Sequence, residues 1–120
     1  MGCSSSSTAS DSSSVTLLNI TVSLPAGVTC DSGGVDADFT GQAGKTVDIL
    51  VSGASSLTPR FTLYAPDFAT QLGFSSPNGA GKAFLSIALT QSGAHHLTLC
   101  DANGTAGSLK VNVTQRLLGG

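Results

Sequence analysis

Six stretches of this chain alternate apolar and polar side chains residue by residue, and that alternation most constrains what the chain can fold into. Leu18, Ile20, Val22 and Leu24 share one parity, with Asn19, Thr21 and Ser23 on the other. The same pattern runs through Val47, Ile49 and Val51, through Phe61, Leu63 and Ala65, and through Leu85, Ile87 and Leu89. It returns in Leu97 and Leu99, and in Leu109, Val111 and Val113. A β-strand sends successive side chains to opposite faces, so each stretch reads as a strand with one face in a core and one in water. Weaker strands fit around 35–40 and 70–74. Turn signals separate them, among them Ser32-Gly33-Gly34, Pro66-Asp67 and Gln91-Ser92-Gly93. Short half-buried strands with frequent turns imply an all-β, antiparallel two-sheet sandwich, jelly-roll-like, of about eight strands. A single helical turn fits best in residues 66–73.

Composition agrees. The charged residues are seven Asp, three Lys and two Arg, with no Glu, and Ser and Thr together number 31. Helices draw their wet faces from Glu and Lys, which are scarce here. A chain of 120 residues is one domain by length and buries roughly two-thirds of its unfolded surface. The net charge of −2 supplies no basic field for nucleic acid or an anionic membrane.

Residues 1–14 are mostly Ser and Thr and read as a flexible tether ahead of a single domain spanning 15–120. Cys3 is a candidate lipidation site on either of two readings. Met1-Gly2-Cys3 with Ser6 fits an N-myristoylation pattern with a neighbouring palmitoylation site. A Cys followed by a Ser-rich tether also resembles the start of a mature bacterial lipoprotein. A plain exposed thiol is the third reading. Cys30 and Cys100 each end a strand-like segment and precede an Asp and a turn. A disulfide between them would close a loop of roughly 70 residues, for which chain entropy gives about 4 kcal/mol. The alternative is two separate buried thiols. Pairing fits an exported protein and not a cytosolic one. Asn19, Asn103 and Asn112 head glycosylation sequons, which a Ser/Thr-rich chain produces by chance.

Catalytic patterns are sparse. The only histidines, His95 and His96, are adjacent in a strand and therefore face opposite ways. If Leu97 and Leu99 face inward, so does His95, and His96 faces water. Gly73-Phe74-Ser75-Ser76-Pro77 lacks the last glycine of a nucleophile elbow. Gly44-Lys45-Thr46 and Gly79-Ala80-Gly81-Lys82 both precede strands, where a phosphate-binding loop precedes a helix. Asp31, Asp36 and Asp38 are candidate calcium ligands, although calcium wants six to eight oxygens; no other cofactor is expected. There is no Trp, and the single tyrosine, Tyr64, is expected exposed beside Arg60 and Thr62, a candidate contact patch.

One longer order of motifs is distinctive. Gly44-Lys45-Thr46-Val47-Asp48-Ile49 is followed by Phe61-Thr62-Leu63-Tyr64-Ala65-Pro66-Asp67. Then come Ser92-Gly93-Ala94-His95-His96-Leu97 and Gly107-Ser108-Leu109-Lys110-Val111. This order resembles the bacterial pre-peptidase C-terminal domain over residues 35–114, and Asp36-Ala37-Asp38-Phe39 resembles that family's Asp-x-Asp-x-Phe start. Two aromatic positions of the family hold His95 and Leu109 here. The resemblance implies a jelly-roll-like sandwich in an exported protein, accessory to a peptidase and not itself catalytic. The expected role is a non-enzymatic binding or accessory module of the bacterial cell envelope, periplasmic or at the cell surface. Its partner would be an envelope protein or polysaccharide, with no nucleic acid, and a membrane only through a lipid on Cys3. The competing roles are an inhibitor of a secreted enzyme and a self-assembling envelope protein.

Overall fold

The computed structural model describes residues 14–27, 34–77 and 80–116. Its strands are β1 (Ser14–Leu24), β2 (Val35–Gly41), β3 (Thr46–Ser52), β4 (Pro59–Tyr64), β5 (Gln71–Phe74), β6 (Ser76–Pro77), β7 (Lys82–Ala88), β8 (Gly93–Asp101) and β9 (Gly107–Arg116). They form two antiparallel sheets, β1-β9-β3-β7-β6 and β2-β8-β4-β5. Without the two-residue β6, these are four strands facing four. The chain passes from one sheet to the other after β1, β2, β3, β5, β7 and β8, so it wraps the sandwich in the jelly-roll manner.

Alternation fixes the core. Val47, Ile49 and Val51 of β3 and Leu109, Val111 and Val113 of β9 meet Phe61 and Leu63 of β4 and Leu97 and Leu99 of β8, all at most 1% exposed. Two bulges repair breaks in the alternation. Thr16 and Leu18 of β1 face consecutive residues Thr114 and Val113, so Leu17 is the extra residue. Gln71 and Gly73 of β5 likewise face Tyr64 and Leu63, leaving Leu72 as the extra residue. Each bulge brings a leucine onto the core edge, where Leu17 and Leu72 pack partly buried.

The structure differs from the sequence expectation at two places here. Ile20 has the core-facing parity, opposite fully buried Val111, yet is 39% exposed. It lies on an edge strand, with a neighbouring strand on one side only. Residues 66–73 contain no helical turn. Asp67 instead closes an Asx turn, accepting hydrogen bonds from the Ala69 and Thr70 amides, both at 2.9 Å.

Candidate functional site

The outer face of the β2-β8-β4-β5 sheet gathers most of the chemically distinctive side chains. Register arranges them in rows. Asp38 of β2, His96 of β8 and Tyr64 of β4 lie opposite one another. Asp36, Thr98, Thr62 and Phe74 form the next row, and Cys100 lies opposite Arg60 in the one after. Side chains two residues apart on a strand share a face, so the rows lie roughly 7 Å apart.

His96 is at the centre. Its Nδ1 is 2.8 Å from Asp38 Oδ1, and Phe68 stacks on its ring with centroids 3.3 Å apart and planes at 16°. His96 is therefore only 7% exposed, where its strand parity predicts a water-facing ring. The cover comes from the β4–β5 turn. Phe68 is the only described non-glycine residue with positive φ, at 63°. Left-handed backbone costs an L-residue roughly 1–2 kcal/mol, so the surrounding turn must hold it. Asp67 does so through its two amide bonds and a 2.8 Å bond from the Thr70 hydroxyl. Those bonds, the Thr70 amide first, hold the Asp67 carboxyl below its ordinary value. Phe68 nevertheless remains 64% exposed, and Phe74 is 66% exposed.

The contact patch expected from the sequence falls on this same face. Arg60 is exposed, Thr62 is half-buried, and Tyr64 is half-buried rather than exposed because it stands beside His96. Sequence reasoning passes over Phe68 and Phe74, since Phe74 sits in a weak strand and Phe68 in a turn whose type the sequence does not specify.

His95 faces the core, as its parity predicts, and is fully buried. Its ring stacks on Phe39 with centroids 5.4 Å apart, and Nδ1 donates to the Gly93 carbonyl at 2.9 Å. Nε2 has no hydrogen-bond partner. The two histidines cannot act as a pair, because one lies inside the sandwich and the other outside.

Asp101, which the sequence marks only as a turn residue, is fully buried. Its carboxylate accepts the amides of Thr58 at 2.6 Å, Asn103 at 2.9 Å and Thr105 at 2.9 Å. Burial is the largest single influence and opposes ionisation. The bonds from Thr105, Thr58 and Asn103 together outweigh it and hold the carboxyl below its ordinary value. This is a structural clamp on the β8–β9 turn.

The remaining expectations are divided. Cys3, Cys30 and Asp31 lie outside the described residues. Cys100 is 6% exposed, with Sγ 3.6 Å from the Arg60 carbonyl. Asp36 and Asp38 are exposed and face Thr98 and His96, the former through a 3.4 Å hydroxyl contact. Among the described residues no three His, Cys or Asp side chains converge in a way that could hold a metal ion.

No family model matches the sequence, and no curated protein does. Solved structures do match in fold. The pre-peptidase C-terminal domain of a collagenase from Bacillus anthracis aligns with a TM-score of 0.65 at 16% identity, covering 81% of this chain and 88% of that one. PliG of Aeromonas hydrophila, a periplasmic lysozyme inhibitor of g-type lysozyme, aligns with a TM-score of 0.57 at 17% identity, covering 89% and 90%. The resemblance carried by the motif order therefore holds at the level of fold.

Proposed function

We propose that this pre-peptidase C-terminal-like sandwich is a non-enzymatic binding or accessory module, exported to the bacterial cell envelope. The observation that carries the reading is the outer face of the second sheet, where Phe68 and Phe74 stand more than 60% exposed. Two large aromatics held out into water by an ordered sheet and a strained turn suit recognition of a partner. The histidines, separated by the sheet, offer no paired acid–base chemistry. Export draws support from the two fold relatives, one of which is periplasmic by name.

A Cys30–Cys100 disulfide belongs to this reading. Gly27 donates its amide to the Gly104 carbonyl at 2.8 Å, and Gly34 packs so tightly on the Leu99 carbonyl that a Cβ there would collide with it. Both residues flanking the Cys30 segment are thus held beside the strand end that carries Cys100. A lipid on Cys3 would place the module at a membrane, with the Ser-rich stretch giving reach. The partner is an envelope protein or polysaccharide.

A second reading, inhibition of a secreted enzyme, is favoured by the likeness to PliG. The test is to assay the purified full chain against g-type lysozyme while also measuring its binding to solubilised envelope proteins and to purified envelope polysaccharide. Saturable binding without turnover is the expected result, and inhibition would select the second reading. Hydrolytic activity abolished by His95→Ala or His96→Ala would overturn both.

A further inference from the structure

The two outer faces of the sandwich carry opposite charge. Among the described residues of the outer face of the β1-β9-β3-β7-β6 sheet, Lys82, Lys110 and Arg116 stand against one carboxylate, Asp48. Arg116 already holds Asp48 through Nε and Nη2, both at 3.0 Å. On the β2-β8-β4-β5 sheet the balance reverses. Asp36 and Asp38, with Asp67 in the covering turn, stand against Arg60 among the described residues of this face. The two exposed phenylalanines are on this acidic face.

We infer that the acidic aromatic face docks a cationic segment of a partner protein, with one arginine or lysine stacked on the solvent side of Phe68 and a neighbouring one at the Asp38 carboxylate. This rests on the binding-module reading above and names its partner chemistry. One side of the Phe68 ring is occupied by His96, and the other side is open. A cation over an aromatic face is attracted by the ring quadrupole, and Arg is the commoner choice. Asp38, whose side chain is 57% exposed, offers a second anchor, a carboxylate beside His96. Phe74, one row away, gives the segment an apolar contact next to the cation. A neutral or acidic segment would gain the apolar contacts but not the carboxylates.

The test is an NMR titration of the ¹⁵N-labelled full chain with nona-arginine, with nona-aspartate and a neutral Gly-Ser nonapeptide as controls. Nona-arginine is expected to shift amides of β2, β8 and the 65–70 turn, with affinity falling as salt rises. Phe68→Ala should weaken binding about fivefold. Asp38→Asn should weaken it and flatten the salt dependence, and Lys82→Ala on the opposite face should leave it unchanged. Phe74→Ala, at an exposed site that tolerates truncation, gives an independent reading should Phe68→Ala disturb the turn. Shifts scattered over both sheets, equal shifts with nona-aspartate, or none with nona-arginine would overturn the inference. If envelope protein or polysaccharide still binds this chain in that case, the module reading stands and only its cationic partner falls.

Discussion

His96 and Asp38 face each other across β8 and β2 with 2.8 Å between Nδ1 and Oδ1, on the outside of a sheet, and yet His96 is buried. A turn from elsewhere in the chain makes this possible. Phe68 folds back over the imidazole, and the Asp67 carboxylate fixes the backbone that puts it there. The result is a small second cluster outside the main core. It supports Phe68 from below and leaves the other face of that ring turned to solvent.

Phe68→Ala should lower unfolding stability by about 1 kcal/mol, the loss of a stacked ring pair. The φ of 63° would remain strained in the alanine variant. Phe68→Asn should lose the same stack but tolerate the left-handed backbone better, and so lie above the alanine variant. Urea denaturation gives the order, and the His96 ring resonances should move toward solvent-exposed values in both. An alanine variant as stable as the parent would mean that the cover contributes nothing.

Asp101→Ala should be among the costliest single changes at a polar residue, about 3 kcal/mol or more, since three amides lose a charged acceptor at once. Asp101→Asn keeps one acceptor oxygen and should cost about 2 kcal/mol. Chemical denaturation at neutral pH checks both. A loss below 1 kcal/mol for the alanine variant would show that water replaces the carboxylate.

Acid should unfold the protein through its carboxylates. Asp101, Asp67 and Asp48 are all held below the ordinary value. In Asp48 burial is the largest influence and opposes ionisation, and the bonds from Arg116 and Ser86 outweigh it. A lowered folded-state pKa means the unfolded chain takes up protons first. Their stabilisation is present in full above the ordinary carboxylate range near 4, and is lost as pH falls through the lowered values. Urea midpoints should be flat from pH 7 to about 5 and then fall steeply. The Asp101→Asn variant should show a shallower fall, and an unchanged slope would assign the acid sensitivity elsewhere.

What is legible in the sequence and what is not divide along a physical line. Strand parity is local, so Leu97 and Leu99 suffice to place His95 inside, and the alternation of β3, β4 and β9 is enough to mark the core. Parity says nothing of which turn folds back over an outer face. The burial of His96 depends on Phe68, 28 residues earlier in the chain, and on a positive φ that no periodicity signals. The Pro66-Asp67 turn signal is visible, but an Asx turn and a helical turn begin alike. Ile20 fails in the opposite sense, because alternation assigns a face and not a strand's place at the edge of a sheet. Asp101 looks like any aspartate at a turn, and only the three converging amides distinguish it.

His95 sets a different kind of test, because its Nε2 sits in the core without a partner. Removing an unsatisfied nitrogen offsets part of what a substitution loses. His95→Leu should therefore stay within about 1 kcal/mol of the parent, whereas Leu97→Ala, on the same face of the same strand, should cost about 3 kcal/mol. Thermal and urea denaturation would compare them. A His95→Leu loss as large as that of Leu97→Ala would mean that the Gly93 bond and the Phe39 stack outweigh the orphaned nitrogen.

The proposed Cys30–Cys100 link gives the last prediction, and it bears on compartment as well as stability. Its loop of roughly 70 residues takes in β2 through β8, so reduction frees most of the chain in the unfolded state and should lower stability by about 4 kcal/mol. The intact mass of protein purified from its native host, taken with and without reduction before alkylation, reads the pairing directly. Two thiols that alkylate only after reduction would support the link and an oxidising compartment. The same spectrum reads any lipid on Cys3. Thiols at Cys30 and Cys100 that alkylate without reduction would remove the link and, with it, the chemical argument for export.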